Sequence, residues 1–277
     1  MQITLHKAKL RRVLLGVMGV VVAAGVAVEV LKPIYKLKSR RGIVPLLSLS
    51  YEGNVPTWYT SALLVACAFF LALIAAGTRA RGERYVAHWW GLAAGFMYIS
   101  LDEVVSLHEA AGFLELGGGV LYFSWVVPAA AVVLGVGLLY LKFLVHLPGP
   151  IRRQFILSGG IYVAGAVGME LPLGWWTDRE GTNNLGYALI DSVEEAMEML
   201  GLNLFLLALW EHLGAQGLRV AFAPAASGVA PEPAAPAAPG AAPEAAVERA
   251  GPEATVARVE RVAREAAATA AERAPEP

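Results

Sequence analysis

Charge is scarce in this sequence. Of 277 residues only 16% are Asp, Glu, Lys or Arg, against about 25% in a soluble domain. Mean hydropathy is +0.55. The formal net charge of −1 gives no overall field that would draw in a polyanion, so a nucleic-acid partner is not expected. Cysteine is nearly absent. The single Cys67 can form neither an intrachain disulfide nor a thiolate-rich zinc site. Lying in an apolar run, it reads as a small buried hydrophobe. There is no Walker A pattern, no Gly-x-Ser-x-Gly and no Cys-x-x-Cys. No repeat of 20–50 residues is visible.

Apolar length is what the chain has in abundance. Six segments approach the roughly 20 residues that a membrane helix needs: about Val13–Val30, Thr60–Gly77, Tyr85–Ala110, Val120–Leu141, Phe155–Trp176 and Leu185–Leu209. The expected fold is therefore all-α, a polytopic integral membrane bundle of about six helices over residues 1–222. Residues 223–277 are low-complexity and rich in Ala, Pro and Glu, a composition that cannot bury a core and implies a mostly disordered tail. The first segment follows the basic stretch Met1–Arg12, as in a signal peptide. No small-x-small cleavage site closes it before Glu29 and Lys32-Pro33, so it reads as a retained helix. Trp58, Tyr59, Trp89 and Trp90 suit a membrane–water interface. Pro128 is a candidate bend. Gly159, Gly160, Gly165 and Gly168 are small residues suited to close helix approach.

Bases sort the ends. With six spans and an inner N-terminus, Met1–Arg12, Arg79/Arg81/Arg84 and Lys142/Arg152/Arg153 fall inside, as lysine and arginine tend to do. The Lys32–Arg41 run falls outside, against the trend. The expectation is a multi-pass protein of the cytoplasmic membrane with both termini inside.

Against this background two acidic runs stand out. Asp102, Glu103, His108 and Glu109 lie in or at the end of the third segment, and Asp191, Glu194, Glu195 and Glu198 open the sixth. A charge taken into hydrocarbon costs several kcal/mol at least unless something holds it. Asp191, Glu194, Glu195 and Glu198 stand at i, i+3, i+4 and i+7, so they share one helix face. Asp102, Ser106 and Glu109 share another by the same rule, and Glu170 is a third contributor from the fifth segment. All fall between mid-membrane and the outer surface. Several carboxylates in a low-dielectric bundle cannot all be ionised and unpaired. They can share protons as a relay, bind a cation, or pair with bases, and no Lys or Arg lies in these segments at that depth. Carboxylates with one imidazole suit Fe, Mn or Zn. The expected ligands are Asp102, His108, Glu109, Glu195 and Glu198, with Glu103, Glu170 and Glu194 as catalytic bases. His88, His212 and Glu29 are weaker candidates, the first as an interface residue and the second as a solvated one. Glu52 and Asn54 read as a helix-capping turn or a lid. No organic cofactor is implied.

Two stretches carry a resemblance. Ser100-Leu101-Asp102-Glu103 with Ser106-x-His108-Glu109, and Glu194-Glu195-x-x-Glu198-Met199-Leu200-Gly201 with Gly53-Asn54-Val55-Pro56-Thr57-Trp58 upstream, resemble a family of bacterial multipass membrane proteins without an established activity. The resemblance covers about Val13–Leu213 and implies topology rather than chemistry. Three functions follow as expectations: a metal-dependent membrane enzyme acting on a lipid-like substrate, a proton- or cation-coupled transporter, and a non-catalytic component held by a polar network. The lipid bilayer is the expected surrounding partner.

Overall fold

A computed structural model of the chain describes residues 6–39, 41–107 and 117–216. Eight α-helices occur among the described residues: α1 Lys7–Ile34, α2 Ile43–Leu47, α3 Val55–Ala80, α4 Val86–Val105, α5 Val126–His146, α6 Gly149–Val163, α7 Glu170–Glu180 and α8 Leu185–Ala215. A 3₁₀ turn at Gly119–Leu121 precedes α5, and a π turn at Ala164–Met169 joins α6 to α7. No strand is present among these residues. Among the described residues four stretches are long and apolar enough to cross a membrane: Lys7–Ile34, Val55–Ala80, Val126–His146 and Gly149–Glu180. The protein therefore has the character of a membrane protein. With 20 and 31 residues, α4 and α8 are also of membrane length, but their acidic side chains dilute them.

Helix starts differ from the periodicity-based expectation for local chemical reasons. α3 begins at Val55 rather than Thr60, because the Asn54 side chain accepts from the Thr57 amide at 3.1 Å and Pro56 occupies the first turn. α6 begins at Gly149, again with proline in its first turn. The expected loop from Lys142 to Arg153 thus shrinks to Leu147 and Pro148. Pro128 sits in the first turn of α5, where an amide has no intrahelical acceptor to lose, so it interrupts no helical hydrogen bond. α4 stops at Val105, and Ser106 takes a left-handed conformation with φ 52°. The face that Asp102 was expected to share with Ser106 therefore ends with α4, and Glu109 lies outside the described residues. The short α2 was not foreseen.

Side-chain contacts define two ends. At one, Lys7 of α1 pairs with Glu211 of α8, which also accepts from Gln154 of α6 at 3.0 Å. There too the Tyr140 hydroxyl of α5 donates to the His88 carbonyl of α4. Arg79, Arg81 and Arg84 lie at this end, which is the basic one. At the other end Ser48 donates to Glu29 at 2.6 Å, and Ser61 at the start of α3 meets Ser100 near the end of α4 at 2.9 Å. The core between them is built from α3 and α8, with Leu64, Leu71, Ile74, Met199, Leu202 and Leu209 fully buried. Cys67 is buried there as a hydrophobe.

Close backbone approach is concentrated where α6 and the π turn cross α8. A Cβ on Gly201 would stand 2.8 Å from the Tyr162 amide nitrogen, and one on Gly165 would stand 3.0 Å from the Glu194 carbonyl. Of the four glycines singled out by sequence, Gly165 has this role. Gly159 and Gly160 face open space, and Gly168 has only loose neighbours. Trp89 is not an interface anchor but is buried at the basic end, its ring against Phe143, Phe155 and His212. His212, expected to be solvated, is 7% exposed. Trp90, by contrast, is 45% exposed.

Candidate acidic site

The end opposite the basic one gathers carboxylates from several elements. α8 contributes most, because Asn184 caps it by accepting from the Tyr187 amide at 2.9 Å and so sets its first acidic turn directly inside the bundle. Glu194 and Glu198 are buried, and Asp191 and Glu195 are half-buried. Glu170 opens α7 immediately after the π turn and is 8% exposed. A π turn inserts an extra residue into the helical register and is common at functional positions. Here it turns Glu170 into the site, where it lies in electrostatic range of Asp191 and hydrogen-bonds Trp125.

α4 supplies the facing wall. Glu103 neighbours Asp102 and Glu52, and Glu198 lies within electrostatic range of Glu103, Glu194, Glu170 and Asp191. Glu195 is in range of Glu198, Glu103, Asp191 and Glu52. The expected convergence of the third, fifth and sixth segments therefore occurs. The turn before α3 closes over it. Ser106 donates to Glu52, and Ser50 approaches Asp191. The Asn54 amide donates to the carbonyls of Ser48 and Tyr51 at 2.7 and 2.6 Å. Asn54 is thus a capping residue, while Glu52 faces the acidic groups.

The charge balance is one-sided. Lys32 is held by Glu29 at 3.1 Å, and Glu29 also takes the Ser48 hydroxyl. Glu29 is accordingly buried at the rim rather than reaching toward solvent. Arg179 stacks on Trp175, 4.0 Å from the ring centre. One buried oxygen on each of Glu170, Asp191, Glu194 and Glu195 has no hydrogen-bond donor. Buried polar atoms in this state are uncommon and each calls for an explanation.

Of the five expected ligands, Asp102, Glu195 and Glu198 share this end, and His108 and Glu109 lie outside the described residues. Among the described residues no three His, Cys, Asp or Glu side chains are close enough together to hold a metal ion as they stand. The three expected bases, Glu103, Glu170 and Glu194, are all in the cluster. His88 sits far from it, packed on Tyr85, Tyr140 and Phe143 at the basic end.

Sequence reasoning missed two tyrosines. Tyr162 of α6 is flanked by Glu198, Glu103, Glu195 and Asp102, and Tyr187 of α8 by Asp191, Glu170 and Glu194. Tyr187 was findable, standing four and seven residues before Asp191 and Glu194 on the same helix face. Tyr162 carries no such signal, because the crossing of α6 over α8 brings it in.

Residues 14–213 match the family described as Domain of unknown function (DUF8692). The chain belongs to the DUF8692 family. No curated protein and no solved structure matches it. The DUF8692 region runs from early α1 to near the end of α8 and takes in every carboxylate of the acidic site.

Proposed function

We propose that the acidic end binds a divalent cation, Fe, Mn or Zn, and that the protein is a metal-dependent membrane enzyme acting on a lipid-like substrate. The observation that carries this reading is the set of buried, donor-less oxygens on Glu170, Asp191, Glu194 and Glu195. Nothing cationic among the described residues answers them, as Lys32 is engaged by Glu29. Mutual repulsion spreads carboxylates that have no counter-charge, and long Glu side chains close on a cation at little cost in rotamer strain. The ligands are drawn from Asp102, His108, Glu109, Glu195 and Glu198. A cation there would supply an activated water, and Glu103, Glu170 and Glu194 would be the carboxylates placed to accept its proton.

The protein crosses the cytoplasmic membrane of a bacterium six times, through α1, α3, α4, α5, α6–α7 and α8, with both termini inside. The acidic end then faces the outer half of the bilayer. An enzyme is favoured over a transporter because no carboxylate among the described residues lies between the acidic cluster and Glu211 at the basic end. Asn203 pairs with Tyr59, and beyond it Phe205, Leu206 and Leu209 pack with Leu71 and Ile74.

The test is elemental analysis of protein purified without chelators, beside Glu195→Gln. Stoichiometric metal in the wild type and a clear loss in the variant support the reading. Metal-free wild-type protein, also unable to take up Fe, Mn or Zn on titration, ends it.

A further inference from the structure

α5 is fastened to the bundle at both ends and detached from it in between. At the basic end Phe143 is buried against Trp89, and Tyr140 donates to the His88 carbonyl at 3.0 Å. At the acidic end Val126 is buried and the neighbouring Trp125 bonds Glu170. Val126, Val133 and Tyr140 are spaced seven apart and so lie on one face of the helix, which both anchored ends turn toward the bundle. A helix packed along its length would bury that face throughout. Instead every residue from 130 to 139 is exposed, Val133 of the inward row at 36% included. A Cβ on Gly135 or Gly137 would meet nothing within 4 Å. These ten residues correspond to about 15 Å of helix, so α5 straps over an apolar slot of that length.

The slot leads to the acidic site. α5 is tied to α4 through His88 and to the start of α7 through Glu170, so it covers the seam between α4 and α6. On that seam Glu103 of α4 and Tyr162 of α6 are in electrostatic range of each other and of Glu198. At the acidic end Glu170 and Glu194, both 8% exposed, keep one buried oxygen each without a donor.

We propose that the slot behind α5 holds the hydrocarbon chain of a single-chain amphiphile whose amine head lies against the acidic cluster. The proposal rests on reading that cluster as the substrate site but not on the cation. The α5 side of the slot, residues 130–139, carries no polar side chain, which fits a chain. The cluster offers acceptors and negative charge, and an ammonium head supplies the missing donors. A phosphate head would bring more negative charge to the same place.

The test uses the purified full chain in phosphatidylcholine nanodiscs, with dodecylamine, dodecyl phosphate and butylamine as probes and thermal stabilisation as the readout. Dodecylamine is expected to bind saturably and the other two at least about tenfold more weakly. Val133→Trp and Gly137→Leu fill the slot and are expected to weaken dodecylamine binding about tenfold, while metal content stays that of the wild type. Leu134→Trp, turned toward lipid one position on, is expected to bind as the wild type does. Unchanged binding by both slot variants, or butylamine binding equal to dodecylamine, overturns the slot. Dodecyl phosphate binding as tightly as dodecylamine overturns the amine head. Metal-free protein that still gives the expected binding pattern leaves this proposal standing and removes only the cation.

Discussion

The cost of a single methyl group separates the structural glycines from the permissive ones. At Gly201 an added Cβ meets the Tyr162 amide nitrogen at 2.8 Å and the Ser158 carbonyl at 2.9 Å. Both neighbours are backbone and cannot rotate away. Overpacking of this kind costs about 1–3 kcal/mol, which outweighs the ~1 kcal/mol that alanine gains over glycine in a helix. At Gly159 nothing stands within 4 Å, and only the helix gain remains. Gly201→Ala is therefore expected to lower the melting temperature in detergent and Gly159→Ala to raise it. A raised melting temperature for both would mean that α6 and α8 do not cross as closely as described.

Among the elements, the turn before α3 and the π turn each do a separable job. Asn54 caps α3 and ties down the carbonyls of Ser48 and Tyr51. Asn54→Ala removes these bonds, and the one Asn54 accepts from the Thr57 hydroxyl, and is expected to cost about 2 kcal/mol, at the upper end of the range for caps. A calorimetric or denaturant-based stability comparison checks it, and a loss under a few tenths would show the turn held by other contacts. The π turn sets the rotation of Glu170. Deleting Ala166 removes the extra residue that the π turn absorbs and returns the segment to α register with Glu170 on the same side. The expected outcome is a folded, membrane-inserted protein that keeps its metal. Lost metal would show that the π turn itself shapes the site.

For the whole molecule the testable property is orientation. The proposed topology puts Asn183, in the turn between α7 and α8, outside the cytoplasmic membrane. Cys67 is fully buried, so an Asn183→Cys variant carries one accessible thiol among the described residues. Labelling of intact cells by a membrane-impermeant maleimide is expected. Labelling only after lysis would invert the topology and place the acidic end toward the cytoplasm. In the proposed topology Lys32, paired with Glu29 at the acidic end, lies outside, against the usual trend for bases.

Composition and periodicity were enough to read the all-helical class, apolar segments of membrane length and the shared face of Asp191, Glu194, Glu195 and Glu198. Each of these is a local property, set by side-chain hydrophobicity and the 3.6-residue repeat. The convergence of Glu103, Glu170 and the α8 carboxylates was legible as well, because alternating helices put every second end on one side. The exits from regularity were not. The left-handed Ser106 ends α4 before the face that Asp102 was expected to share with it, and the π turn redirects Glu170, both under the demands of neighbouring helices. The pairing of Glu29 with Ser48 and Lys32, the arrival of Tyr162, the burial of Trp89 and His212, and the open slot behind α5 depend on which helices cross and how closely. Packing between distant segments decides that, and no window along the chain contains both partners.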